Sequence, residues 1–80
     1  MLKIGEILDA NIVEIQPFGL FLEARGFRIL VLITDLTNPP AVPKMSDFKV
    51  GDVLKVRIIL FNDIKNIFRG AASDVRDVNA

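Results

Sequence analysis

From Val53 to Leu60 the chain alternates with a period of two: Leu54, Val56, Ile58 and Leu60 point one way, and Val53, Lys55, Arg57 and Ile59 point the other. A period of two is the signature of a strand with one buried face, and it excludes a helix over the same residues. The pattern recurs along the chain. Between Gly5 and Gln16, Ile7, Ala10, Ile12 and Ile15 interleave with Glu6, Asp9, Asn11 and Glu14, interrupted once, which predicts a long first strand with a bend or bulge. Pro17, Phe18 and Gly19 break that run. A second strand follows with Leu20, Leu22 and Ala24 on its core face and Phe21, Glu23 and Arg25 opposite. Arg25-Gly26 is a tight connection to a third strand, where Phe27, Ile29, Val31 and Ile33 alternate with Arg28, Leu30, Leu32 and Thr34. A fifth strand is expected from Ile67 to Ala72, with Phe68 and Gly70 inward and Ile67 and Arg69 outward, after a turn at Asn62 to Asn66.

The segment from Asp35 to Gly51 loses the alternation and carries Pro39, Pro40 and Pro43, so it reads as a long loop with one helical turn near Ser46 to Lys49. Five strands in 80 residues are too few for a sandwich of seven or more. They fit an all-β fold, a five-stranded antiparallel Greek-key barrel with a long loop between strands 3 and 4, in which closure removes exposed strand edges. Residues 1–74 form the expected domain and residues 75–80 a polar C-terminal tail.

Composition narrows the function. The chain has neither Cys nor His, which removes disulfides, thiolate nucleophiles, zinc sites and the commonest general base, so no enzymatic activity and no cofactor are expected. Its carboxylates show no spacing that assembles a metal cage. Ten basic residues balance ten acidic ones, so attraction to phosphate is not built into the net charge. The longest apolar run, Ile29 to Ile33, is far too short to span a membrane. A cytoplasmic location without a membrane partner is the default expectation.

The string from Gly5 to Glu23, GEILDANIVEIQPFGLFLE, resembles the opening two strands of the S1-type RNA-binding domain family, most specifically in Phe18-Gly19-x-Phe21. Leu30-Val31-Leu32-Ile33-Thr34-Asp35-Leu36 is similar to that family's third-strand motif, and Phe48-Lys49-Val50-Gly51-Asp52-Val53-Leu54-Lys55-Val56 to its entry into strand four. The resemblance implies an oligonucleotide-binding barrel whose ligand face lies on strands two and three, with help from the turn between strands four and five. It implies that Phe18 and Phe21 stack bases. Leu32 stands where the family usually has His, Asn62 where it commonly has Asp, Ile67 where it has a basic residue, and Ala10 where it commonly has Gly.

The residues themselves suggest how such a face would work. An outward Phe needs a reason, and two rings can serve as platforms for unpaired bases; the competing reading packs them beneath the 35–51 loop. Arg25, Arg28, Lys55, Arg57 and Arg69 all fall on outward positions and could converge into a stripe that tracks a backbone, with Glu23 working against it. The expectation is therefore a non-catalytic module that binds single-stranded RNA weakly and with little sequence preference. Its candidate contacts are Phe18, Phe21, Arg28, Leu32, Lys55, Arg57, Asn62 and Arg69. The alternative is a protein-interaction or self-association module that has lost RNA binding, with Leu30, Leu32, Ile59, Phe61 and Phe21 forming an apolar outer surface.

Overall fold

The computed structural model describes residues 1–36 and 45–72. The expected loop between strands 3 and 4 lies partly outside these residues, and the expected polar tail and the boundary at residue 74 lie wholly outside them. Five strands are present: β1 (Ile7–Gln16), β2 (Gly19–Ala24), β3 (Phe27–Leu32), β4 (Val53–Asn62) and β5 (Ile67–Ala71). They close into a barrel in the order β1-β2-β3-β5-β4. Four of the five pairings are antiparallel. The fifth, β3 with β5, is parallel and joins Ile29 to Phe68 and Leu30 to Arg69, so the cylinder closes through a contact that the expectation of a wholly antiparallel barrel did not include.

The core faces of β2, β3 and β5 are those that the alternation predicts. Leu20, Leu22 and Ala24, Ile29 and Val31, and Phe68 and Gly70 are all buried. Small residues fit where the cylinder is tightest: a Cβ on Gly70 would lie 3.0 Å from the Cγ2 of Ile29. Phe68 fills one end, meeting Phe27 edge to face at 5.7 Å between ring centroids and Phe61 at 4.6 Å. Each such ring pair adds about 0.5–1.5 kcal/mol beyond the area it buries.

The two long strands depart from strict alternation. The buried side of β1 is Leu8, Ala10 and Ile12, and Ile7, expected inward, is exposed. The register then shifts between Ile12 and Glu14, which makes Val13 the bulged residue and supplies the interruption seen in the sequence. A second register shift, between Ile58 and Leu60, is not marked by any break in the sequence pattern. One extra residue reverses inside and outside beyond it. Leu60, expected in the core, is exposed, while Phe61, expected on the outer surface, packs against the core.

Short 3-10 turns flank the loop. Ile33–Asp35 ends β3 two residues earlier than expected, and Met45–Asp47 supplies the helical turn slightly ahead of its expected place. Leu36 and Leu2 are buried although neither belongs to a strand.

Arg25 and Gly26 both adopt positive φ, 53° and 82°, so the β2–β3 connection is a two-residue turn of the twisted type that suits a hairpin. The turn aims Arg25 at the N-terminal segment, where its Nη1 donates to Glu6 Oε2 at 2.7 Å. The Lys3 N–H donates to the other Glu6 oxygen at 3.0 Å. The Lys3 amide is the main cause that holds the Glu6 carboxyl below its ordinary value of 4.5; partial desolvation opposes it, and Arg25 adds to it.

Two outcomes follow for stability. Phe68→Ala, which empties the centre of the three-ring cluster, is expected to cost about 3–5 kcal/mol, read as a lower urea midpoint. Because the Glu6 carboxyl is depressed in the folded state, its contribution is present above about pH 4.5 and is lost as pH falls through the lower folded value. Glu6→Gln should therefore be less stable than the parent at neutral pH, and the two urea midpoints should converge on acidification below that point.

Candidate nucleic-acid interface

The outer surface of β2 and β3 is built by cross-strand registry. Phe21 of β2 sits opposite Glu14 of β1 on one side and Leu30 of β3 on the other, and Leu30 in turn sits beside Arg69 of β5. Glu14, Phe21, Leu30 and Arg69 thus form one row across four strands. On one side of it, Glu23 faces Arg28; on the other, Gly19 faces Leu32. Neighbouring strands are about 4.8 Å apart, so the row from Phe21 to Arg69 covers only about 10 Å.

Phe18, in the β1–β2 turn, is 46% exposed and meets Phe21 edge to face, with ring centroids 5.9 Å apart and planes at 89°. Both rings therefore stand outside the barrel. Gly19 explains how they come together. A Cβ there would lie 2.3 Å from the Val31 carbonyl oxygen and 2.9 Å from the Leu32 Cα, so only glycine lets the turn press this closely against β3. The Phe18 carbonyl accepts from the Ile33 N–H at 2.9 Å and secures the contact. The result is a ring pair at one corner with a floor of bare backbone between it and Leu32.

The charges on this face are paired. The Arg28 guanidinium lies 5.4 Å from the Phe21 ring centroid and 4.0 Å from a Glu14 oxygen. A cation–π contact at such an exposed place is worth about 0.5–1 kcal/mol and holds both side chains in position. Arg69 donates through Nη2 to Asp35 Oδ2 at 3.1 Å, and its Nε is buried without a partner. Asp35, in the 3-10 turn after β3, was not expected at the site; the fold brings it there because its carbonyl also accepts from the Ala72 N–H at the end of β5. Asn62 closes the β4–β5 turn, its Oδ1 accepting from the N–H groups of both Ile64 and Lys65 at 3.1 Å. Ile64, at the tip, is 92% exposed.

The expected stripe of five cations does not converge. Lys55 and Arg57 lie on β4 opposite Asp9 and Ile7 of β1, and Arg57 also faces Ala71 of β5. β4 is separated from β2 by β1 on one side and by β5 and β3 on the other, so the two strands look out from different sides of the barrel. Arg57 donates to the Gly5 carbonyl at 3.2 Å, and Arg25 is held by Glu6. Phe18, Phe21, Arg28, Leu32 and Arg69 share the β2–β3–β5 surface, with Asn62 at its edge. Among the described residues no group of three or more Asp or Glu could hold a metal ion, and no helix is long and apolar enough to cross a membrane.

Comparison with known proteins agrees with the resemblance read in residues 5–23, 30–36 and 48–56. The family described as S1 RNA binding domain matches residues 2–68. Polyribonucleotide nucleotidyltransferase of Thermotoga neapolitana is 35% identical over 63 residues, covering 79% of this chain and 9% of that protein. Small ribosomal subunit protein bS1c of Porphyra purpurea is 36% identical over 58 residues, covering 72% of this chain and 22% of that protein. The chain thus spans less than a quarter of either relative. A chain in the a/eIF2alpha-aDim2p-rRNA complex from Pyrococcus horikoshii superposes with a TM-score of 0.81 at 19% identity, over 96% of this chain and 48% of that one. At that identity the likeness is one of fold.

The close approach at Gly19 has a measurable consequence. Gly19→Ala is expected to destabilise by about 3 kcal/mol, because backbone and not a movable side chain blocks the new methyl group. Gly26→Ala meets nothing within 4 Å and suffers only from its left-handed φ, about 1 kcal/mol. Urea denaturation of the two variants should show that order.

Proposed function

This chain belongs to the S1 RNA-binding domain family, and on that footing we propose that it is a non-catalytic module that binds single-stranded RNA weakly and with little sequence preference across the β2–β3 surface. The observation that carries the reading is the pair of outward rings, Phe18 and Phe21, set edge to face at a corner of the sheet. Bases present a π-face whatever their identity, so ring stacking binds them without selecting among them, at about 1–3 kcal/mol per base. Leu32 offers an apolar surface beside the glycine floor but no hydrogen bond, which keeps the recognition unselective.

Electrostatics assist in this reading and do not lead. Arg28 and Arg69 each have a carboxylate beside them, Glu14 and Asp35, so few counterions would be released from a bound strand. Lys55 lies on the β1–β4 side of the barrel, and the Arg57 guanidinium turns to the Gly5 carbonyl, so neither contributes in this reading. Asn62 contributes by shaping the β4–β5 turn at the edge of the surface. The relatives that match are much longer than this chain.

Titration of the isotope-labelled protein with a short pyrimidine-rich RNA at low salt tests the proposal. Amides of residues 18–23 and 28–32 should shift. Phe18→Ala and Phe21→Ala should each weaken binding by about 5-fold to 100-fold, the equivalent of one lost stacking contact. The slope of log affinity against log salt should be shallow, near −1, for one or two neutralised phosphates. No movement of these amides at millimolar RNA would sink the reading.

A further inference from the structure

The outer face of β1 and β4 takes no part in the proposed RNA surface, and it carries most of the exposed apolar bulk of the molecule. Ile4, Ile7, Val13, Val50 and Val53 are five of the nine large apolar side chains that stand exposed among the described residues. Ile7 and Val53 are 46% and 62% exposed. Registry sets out the strip: Ile7 beside Arg57, Asp9 beside Lys55, Asn11 beside Val53. Ile4 extends one end, where the Gly5 N–H donates to Ile58, and Val13 and Val50 extend the other, where the Gly51 N–H donates to Ile12. The strip therefore carries exposed apolar side chains toward both ends, with Arg57 beside Ile7 and Asn11 beside Val53, and a middle of opposite charge.

Asp9 and Lys55 are direct cross-strand neighbours, and both are exposed. Neither enters an ion pair among the described residues.

We infer that this face is an interface with a second copy of the same chain. Charge complementarity selects the occupant and the geometry. A two-fold axis parallel to the strands, lying between two facing copies, sets β1 of one over β4 of the other. Asp9 of each copy then meets Lys55 of its mate, giving two reciprocal ion pairs from one self-complementary patch. The same axis keeps each end of the strip level with its own counterpart, so Asn11 of each copy lies over Val53 of its mate and Ile7 over the aliphatic stem of Arg57. An axis across the strands would stack Asp9 on Asp9 and is rejected by like charge. Among the described residues the five strands close into a barrel without a free edge, so association is face to face and not by strand addition. Zero formal net charge leaves no long-range repulsion to oppose it.

The patch is small and the association accordingly weak, with a dissociation constant of roughly 0.1–1 mM. Sedimentation velocity on the chain without RNA tests this independently of the RNA proposal. The weight-average sedimentation coefficient should rise between about 20 μM and 1 mM protein. Asp9→Lys and Lys55→Asp should each weaken association at least tenfold by creating two like-charge contacts, and the double swap should restore it. Far-UV circular dichroism and urea midpoints matching the parent establish that each variant is folded, and Val53→Ser supplies a further variant expected to weaken association without a charge change. A wild-type coefficient that stays flat to 1 mM overturns the inference. So does a rising coefficient that single and double swaps leave unchanged, since the copies would then meet through another face.

Discussion

Everything on the outer surface depends on the parallel contact between β3 and β5. It is a short ladder, two residue pairs long, yet it turns a curled sheet into a cylinder and leaves no unpaired edge among the five strands. It also sets the neighbours of the ring-bearing strand. Because Leu30 lies opposite Arg69 in that ladder, a cation from the last strand arrives beside an apolar residue of the third, in line with Phe21. A slip of one position would turn Arg69 toward the core and Phe68 toward water.

The interior holds the ladder in place by volume. Phe68 is buried between Phe27 and Phe61, and at Gly70 an added Cβ would press on Ile29 Cγ2 at 3.0 Å and touch Val31 Cγ2 at 3.5 Å. Large and small residues on one short strand thus fit a cavity that tapers, and the taper is fixed by strand number and tilt. The outer surface is then organised by pairing of charge across strands: Arg25 with Glu6, Arg28 with Glu14, Arg69 with Asp35. Exposed ion pairs of this kind add little stability, about 0–1 kcal/mol each, but they fix where guanidinium groups sit relative to the rings.

Most of the architecture was legible from period two alone. Leu20, Leu22, Ile29, Val31, Val56, Ile58 and Phe68 are buried as the alternation requires, and the Pro17 to Gly19 and Arg25-Gly26 breaks fall at the observed turns. The ring pair was legible too, since Phe21 is out of phase with the core residues flanking it. What escaped was whatever depends on distance along the chain. The bulge near Ile59 has no local marker because Ile59, Leu60 and Phe61 are all apolar and suit either side. The parallel closure joins strands separated by a long loop, and local pattern carries no register between them. Asp35 and Arg69 meet only because the barrel folds one over the other. Lys55 and Arg57 share the outward phase of the other cations, but phase along a strand does not say toward which side of a cylinder that strand looks.

The bulge in β4 acts as a parity switch. A strand with an added residue carries two incompatible alternations joined end to end, and each half is correct only in its own phase. Loss of Ile59, the extra residue, would restore plain alternation with Ile58 in, Leu60 out and Phe61 in, so the bulge would vanish without moving either side chain to the other face. A change of one residue at this point is therefore absorbed by the bulge, whereas the same change elsewhere in β4 would set part of the strand in the wrong phase.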